Sequence, residues 1–157
     1  MKLKIIYLGV ISILFFSCSS DLSMGFGNTG KDGREKWEDE ISQAIEWDGR
    51  KDSEVLENYT GWAKIKLGGS VAILVEYEDG LTHGNAIAWQ DNGNKEYHIT
   101  YQKGKKHGVE IFFHENGNMS ILTQMKEGKK DGIQIFYNED GTEDERIIWK
   151  NDERIEG

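Results

Sequence analysis

A 24-residue internal repeat constrains this chain more than any other feature of its sequence. The hexapeptide at 103–108 (KGKKHG) returns at 127–132 as EGKKDG. Without gaps, the same period aligns one largely aromatic position and three glycine positions: Tyr77, Tyr101, Met125 and Trp149; Gly80, Gly104 and Gly128; Gly84, Gly108 and Gly132; Gly93, Gly117 and Gly141. A fixed period defines the architecture before any single residue does. It also disfavours an enzyme, because a repeat distributes similar surface along the chain and does not concentrate one reactive centre.

Each repeat has the pattern of a β-hairpin. Apolar residues alternate over 109–113, the chain turns through Asn116-Gly117, and apolar residues alternate again over 119–125. Alternation on both sides of Asn-Gly is the strongest short-range hairpin signal. The chain also has 19 glycines and no proline, which fits many turns with positive φ.

Residue parity selects the length of the hairpin loop. A three-residue loop at 115–117 pairs Phe113 with Met119 and Ile111 with Ile121, so the apolar residues of both strands share one face. We therefore predict a type I turn followed by a left-handed glycine in a bulge. The predicted bulge glycines of the three repeats are Gly93, Gly117 and Gly141.

Parity also bears on the turns between repeats and on the end of the sheet. An odd-numbered loop within 103–108 keeps Tyr101 and Val109 on the same face. A degenerate first hairpin turns at Gly68-Gly69. Glu145 occupies the position of an apolar residue in earlier copies, which predicts that the last hairpin is an edge that blocks further pairing.

These patterns predict a mainly all-β fold with one short N-terminal helix. The sheet is an elongated, single-layer antiparallel β-meander of about eight strands, built from hairpin repeats. The preceding helix has about three turns, because Trp37, Ile41, Ala44 and Ile45 recur at helical spacing. We expect this helix to cover part of the sheet.

The N-terminus has the pattern of a bacterial secretion signal. Lys2 and Lys4 precede an apolar run at 5–16, which is shorter than a membrane-spanning helix needs. Residues 15–18 (FFSC), which begin within this run, resemble the lipobox of bacterial lipoproteins, in which the cysteine is lipidated and becomes the new N-terminus. We therefore predict that Cys18 carries a lipid and anchors an exported protein in the cell envelope, at the outer membrane or periplasmic face. An ordinary signal peptide with a free cysteine is the alternative.

The predicted organisation has four segments. They are a lipoprotein signal peptide at 1–17, a flexible tether at 18–33, a short helix and charged connector at 34–58, and the hairpin repeat domain at 59–157. Removing 1–17 takes two lysines from the 19 basic residues and none of the 28 acidic ones, so 17 basic and 28 acidic side chains give a formal charge of −11. Such a chain repels phosphates, so we expect no nucleic-acid partner, and the lipid must provide membrane attachment.

Catalytic and metal-binding patterns are weak. His83 and His107 occupy equivalent turn positions, and His98 and His114 lie on strands, so the four histidines do not converge as zinc ligands do. We expect solvated turn histidines, no metal and no cofactor. The acidic run at 138–145 lacks the ligand spacing of an EF-hand. The sequence has no G-x-S-x-G or H-E-x-x-H motif, so we predict no catalytic residues and no enzyme.

The aromatic residues of the repeats are the strongest candidate site. A three-turn helix is about 16 Å long and eight strands span about 35 Å, so the helix leaves much of an apolar face uncovered. Uncovered apolar surface marks interaction sites. We predict a face that binds a protein, a peptide or a saccharide, or a second copy of the chain. Its candidate residues are Trp89, Tyr97, Tyr101, Phe113, Tyr137 and Trp149.

The repeat resembles a MORN-repeat variant of exported bacterial proteins, some of which are labelled YwqK-type antitoxins. The resemblance rests on 77–93 (YEDGLTHGNAIAWQDNG), 101–117 (YQKGKKHGVEIFFHENG) and 125–141 (MKEGKKDGIQIFYNEDG), with YTGWAKIK at 59–66 as an opening element. It implies an elongated single-layer sheet whose aromatic face is a non-catalytic scaffold or protein-interaction surface. A carbohydrate-binding or enzyme-accessory module is one alternative, and an antitoxin or immunity protein is another.

Overall fold

The computed structural model describes residues 34–47 and 56–156. A 3-10 turn at Arg34–Trp37 leads into helix α1 at Glu38–Gln43. The strands are β1 Ile45–Glu46, β2 Gly61–Leu67, β3 Ser70–Glu78, β4 Leu81–Trp89, β5 Lys95–Gln102, β6 Lys105–Phe113, β7 Met119–Lys126, β8 Lys129–Tyr137, β9 Glu143–Lys150 and β10 Glu153–Glu156. The predicted leader, the tether and Cys18 lie outside the described residues, as does most of the charged connector.

The predicted fold class is confirmed. The strands form one sheet in the order of the chain, an open meander that does not close into a barrel. Strand β1 pairs with β2 in parallel, and all later neighbours pair antiparallel. In the described part of the chain, no helix is long and apolar enough to cross a membrane.

The three-residue loops are also confirmed. The Gly117 N–H donates to the His114 carbonyl oxygen at 2.9 Å, and the His114 N–H donates to the Asn118 carbonyl oxygen at 2.8 Å. These two bonds close a type I turn followed by a left-handed glycine. The three predicted bulge glycines have φ values of 87°, 85° and 85° at Gly93, Gly117 and Gly141.

The single apolar face is wrong, because each hairpin contains a second bulge. Phe113 pairs with Met119 as predicted, but Ile121 then pairs with Phe112 rather than with Ile111. Ser120 is the extra residue, and Glu96 and Asp144 repeat it in the other hairpins. Because side chains alternate along a strand, one extra residue moves the apolar set of the second strand to the opposite face.

The turns between repeats differ from the prediction as well. Lys103 and Gly104 form a two-residue turn with φ values of 49° and 79°, as a type I′ hairpin requires. The register of the two strands then shifts between Ile99 and Tyr101. Tyr101 and Val109 consequently lie on opposite faces, so the odd-numbered loop is wrong. The turn at 68–69 is confirmed, with positive φ at both glycines.

Glycines 84, 108 and 132 lie where the register shifts. Gly108 has φ 94°, and a Cβ added there would lie 2.7 Å from Thr100 Oγ1. That hydroxyl oxygen accepts a hydrogen bond from the Val109 N–H at 2.8 Å, which satisfies a backbone group that the shift leaves without a strand partner. The side chains at 76 and 124 accept the equivalent bonds from 85 and 133 in the other repeats.

The turns of successive repeats stack on one another. Asn92 and Asn94 donate side-chain N–H groups to the Glu115 carbonyl oxygen at 2.9 and 2.8 Å. In the next repeat, Asn116 and Asn118 donate to the Glu139 carbonyl oxygen, both at 2.7 Å. The repeat therefore fixes the spacing of its turns through side-chain amides as well as through the strands.

The sheet buries apolar side chains on both faces. We call one the helix face, because Trp37 and Ile41 pack there on a cluster of Ala44, Val71, Leu74, Ile87 and Trp89. We call the other the tyrosine face, where Trp47 and Tyr59 pack on a cluster of Leu56, Ala63, Val75, Tyr77 and Ala86. The predicted covering helix is confirmed but is shorter than expected, since Ile45 belongs to β1.

The N-terminal segment thus reaches both faces around the β1 edge. At the other end, β10 pairs with β9, so the prediction that pairing stops after the last hairpin is wrong. Glu145 pairs in register with Phe136, and its Oε1 lies 3.5 Å from Arg154 Nη2 of β10. The Glu145 carboxylate is therefore paired with Arg154 of β10 and does not block the pairing of this strand.

Candidate functional site

The six candidate aromatic residues divide between the two faces. Alternation from the paired rows puts Trp89, Phe113 and Tyr137 on the helix face. Tyr97, Tyr101 and Trp149 lie on the tyrosine face. The prediction that all six share one surface is wrong, and its cause is the second bulge in each hairpin.

Three of these six rings, those of Trp89, Phe113 and Trp149, have a cation close to the ring. Trp89 is 4% exposed and packs in the core, with the Arg34 guanidinium 5.9 Å from its ring centroid. The ammonium of Lys95 lies 6.0 Å from the Phe113 ring centroid.

Trp149 is engaged on two sides. Its Nε1 donates to Gln134 Oε1 at 2.9 Å, and the Lys130 ammonium lies 4.5 Å from the centroid of its ring. A cation over an aromatic face is favourable in its own right, so this side chain has a structural role in the last repeat.

Two of the candidates, Tyr97 and Tyr101, line a cleft on the tyrosine face, whereas Tyr137 lies on the helix face outside it. The cleft has a volume of about 500 Å³. Its walls and floor are Trp47, Ile65, Ile73, Val75, Tyr77, Gly80, Leu81, Thr82, Ala86, Tyr97, Ile99, Tyr101 and Gly104. Every one of these side chains is uncharged, although charged residues make up 30% of the chain.

Three elements bring the aromatic residues together. The chain leaves β1 and places Trp47 edge-on to Tyr77, with ring centroids 6.1 Å apart and an interplanar angle of 78°. Tyr77 ends β3, and Tyr101 is its equivalent one repeat later on β5. Tyr97 lies four residues before Tyr101 on the same strand and face, and its ring meets the Phe112 ring edge-to-face with centroids 6.3 Å apart. Such edge-to-face pairs are favourable beyond the area they bury.

The repeat departs from its pattern at the cleft. The floor follows a register row in which Val75, Ala86 and Ile99 are neighbours. In the later repeats, the position of Ala86 is occupied by Glu110 and Gln134, which are larger and polar. The small Ala86 leaves space over the floor, and Trp47 supplies a wall that no repeat encodes.

Burial controls the ionisation of the cleft tyrosines. Loss of solvent raises the pKa of Tyr77, Tyr97 and Tyr101, and the phenol of Tyr101 raises the pKa of both of the others. Tyr101 therefore influences both of the other cleft tyrosines. All three are neutral at physiological pH and can both donate and accept a hydrogen bond.

The histidines form no common site. His98 is buried, donates from Nε2 to Asn85 Oδ1 at 2.8 Å and lies 6.1 Å from the Trp37 ring, so the prediction of a solvated residue is wrong for it. His114 Nε2 donates to the Tyr137 carbonyl oxygen at 2.9 Å. Within residues 34–47 and 56–156, no group of three or more His, Cys, Asp or Glu side chains is placed to hold a metal ion.

A second recess lies beside the stacked turns. It is open, has a volume of about 1100 Å³ and carries the carboxylates of Asp91, Glu96, Glu115 and Glu139. Its backbone carbonyls are already used in the Asn stack. This recess is a solvated acidic surface, and the tyrosine cleft is the better candidate site.

Among the aromatic residues of the cleft, Tyr77 and Trp47 were missed from the sequence. Tyr77 is visible in the 24-residue alignment, and its repeat equivalence to Tyr101 could have found it. Trp47 carries no local signal, because its place in the cleft depends on where the chain crosses the β1 edge. Comparison of the sequence with protein-family models and with curated proteins finds no match.

Proposed function

We propose that this chain is an exported, lipid-anchored protein of the bacterial cell envelope whose repeat sheet is a non-catalytic binding module for a protein or peptide. The tyrosine cleft is the observation that carries the proposal. It is concave, mostly apolar and lined by aromatic side chains, which are the features of a recognition site. The titratable groups among its described lining residues are tyrosines, and burial raises the pKa of each, which keeps them neutral at physiological pH.

The chemistry of the floor favours a peptide over a saccharide. Ile73, Val75 and Ile99 offer only apolar contacts there. A saccharide buried on such a floor would leave hydroxyl groups without hydrogen-bond partners, which is costly. Apolar side chains of a partner protein lose no hydrogen bond on entering the cleft.

The predicted anchor suits a module of this kind. Sixteen residue steps separate Cys18 from Arg34, which allow an extended reach of at most about 55 Å from the membrane surface. Replacing Cys18 with Ala in the full chain should move the protein from the membrane fraction to the soluble fraction of the cell envelope. Retention of the Cys18→Ala variant in the membrane would contradict the anchor.

A peptide selection tests the binding proposal. A random peptide library is selected on the chain produced from Ser19 onward, which retains every described element. Enriched peptides are then measured against two matched double variants. Tyr97→Ala with Tyr101→Ala should weaken binding at least about tenfold, equivalent to about 1.4 kcal/mol.

The matched control lies on the opposite face of the sheet, at the ends of β6 and β8. Phe113→Ala with Tyr137→Ala removes two aromatic rings from the helix face and should leave binding within about twofold. The proposal fails if no peptide is enriched, or if the helix-face pair weakens binding as much as the cleft pair does.

A further inference from the structure

The charge pattern of the cleft restricts its occupant. Among the described residues, no carboxylate, ammonium or guanidinium group lines the cleft, and Lys106, which lies near Tyr101, has its Nζ paired with Glu110 Oε1. A charged group entering the cleft would lose its hydration without gaining a counter-charge, which is strongly unfavourable. The occupant should therefore be uncharged.

The size and shape of the cleft suit a ring. A volume of about 500 Å³ lies within the range of roughly 300–1,000 Å³ for small-ligand sites. Trp47 already stands edge-on to Tyr77, so an incoming ring can add a further edge-to-face or offset contact. The aliphatic floor at Ile73 and Ile99 supplies flat apolar contact beneath it.

The tyrosine hydroxyls add a polar element. Within the part of the chain that the structure describes, the hydroxyls of Tyr77, Tyr97 and Tyr101 make no hydrogen bond to protein, and water can reach them. A ligand that carries one hydrogen-bonding group at its edge can bond to these hydroxyls, so that neither the ligand group nor a hydroxyl is buried without a partner. A purely aliphatic ligand would instead displace water from the tyrosine hydroxyls without replacing the hydrogen bonds that the water made.

We infer that the cleft binds one uncharged aromatic side chain of a partner segment, with a hydrogen-bonding edge such as that of tryptophan or tyrosine. This inference rests on the proposed function and names the chemistry of the same site. An exposed aromatic anchor in a pocket is the usual centre of a peptide interface.

Two fluorescent probes test the charge rule. N-phenyl-1-naphthylamine is neutral, and 8-anilino-1-naphthalenesulfonate is the same ring system with a sulfonate. Using the chain from Ser19 onward, the neutral probe should bind. The sulfonate should bind at least about tenfold more weakly, because no cation among the described residues lines the cleft. Equal or tighter binding of the sulfonate would overturn the inference.

Competition against the bound neutral probe tests the ring. N-acetyl-tryptophanamide should displace it at lower concentration than N-acetyl-leucinamide does, and at lower concentration than the anionic N-acetyl-tryptophan does. Displacement by leucinamide at the same concentration would overturn the aromatic requirement.

A filling variant locates the probe without removing an aromatic residue. Ala86→Gln introduces the side chain found at Gln134, the equivalent position two repeats later, and retention of the strand signature in circular dichroism controls for folding. It should abolish probe binding, and Tyr97→Ala should weaken it, whereas Phe113→Ala should not. Unchanged binding in Ala86→Gln would place the probe outside the cleft and overturn the inference.

The outcomes separate this inference from the proposed function. A neutral ring that binds in the cleft, with no peptide that depends on it, supports the inferred chemistry and contradicts the protein or peptide partner. Peptides that depend on the cleft but carry no aromatic residue support the proposed function and overturn the inference.

Discussion

Gly108 offers the most direct test of how the repeat is built. Its φ is 94°, and a Cβ at this position would lie 2.7 Å from Thr100 Oγ1, closer than real Cβ contacts come. Left-handed backbone costs a residue with a Cβ about 1–2 kcal/mol. Moving the Thr100 hydroxyl would also leave the Val109 N–H without its partner, which costs about 1–3 kcal/mol. We expect Gly108→Ala to lower the free energy of unfolding by about 2–5 kcal/mol in total.

Gly93→Ala is the matched control. Gly93 has φ 87°, but a Cβ there meets nothing within 4 Å. It should lose only the backbone contribution of about 1–2 kcal/mol. Urea unfolding followed by circular dichroism measures both variants, and amide hydrogen exchange should accelerate at Val109 in Gly108→Ala alone. If the two variants lose the same stability, the Thr100 bridge has no energetic role and the reasoning is refuted.

Three further predictions concern the turns, the acid range and the helix cover. Asn116→Asp removes the side-chain N–H that donates to the Glu139 carbonyl oxygen, and it should lower the free energy of unfolding in urea by about 0.5–1.5 kcal/mol. Asp140→Asn, in the last such turn described, is the control and should change it by less than about 0.5 kcal/mol. Lys150 holds the pKa of Asp131 below its ordinary 3.8, so the Asp131 carboxylate stabilises the fold above that pH, and this stabilisation is lost as the pH falls through the lowered pKa. Asp131→Asn should therefore reduce the drop in urea midpoint between neutral pH and about pH 3. An unchanged drop would contradict the ion pair. Trp37→Ala should lower the free energy of unfolding by about 2–4 kcal/mol, because it uncovers part of the helix face. Binding of the neutral probe should stay unchanged, and a loss of probe affinity would show that the two faces are coupled.

The turns could be predicted from the sequence because their signals are local. The Asn116-Gly117 pair and the alternation beside it determine the loop length without any knowledge of distant residues. The same holds for Gly68-Gly69. The repeat then carries one correct turn to its equivalents, so the fold class follows from a few positions.

The faces could not be predicted, because one uncounted residue reverses them. Glu96, Ser120 and Asp144 are the extra residues of the second bulges, and their polar side chains do not distinguish them from the other polar residues of the strands. Parity arguments assume an uninterrupted pairing and fail when a bulge intervenes. The error then passes to every aromatic residue assigned by parity.

The cleft was only partly accessible to sequence reasoning. Tyr97 and Tyr101 were identified as candidates, whereas Trp47 depends on a crossing of the sheet edge that no local pattern specifies. Ala86 is the informative signal that was available: a repeat position that is Glu or Gln in the later copies and small here. Departures from a repeat, rather than its consensus, mark where a repeat protein becomes specific.

The central claim is that recognition belongs to the tyrosine face at the first repeat. Backbone amide chemical shifts of the isotopically labelled chain, followed during titration with N-acetyl-tryptophanamide, test it most directly. If the tyrosine cleft is the binding site, perturbed residues should concentrate in the cleft strands, at 73–86 and 97–104, with little change at 109–113 and 133–137. Perturbations centred on 109–113 and 133–137, or spread equally over all repeats, would contradict it.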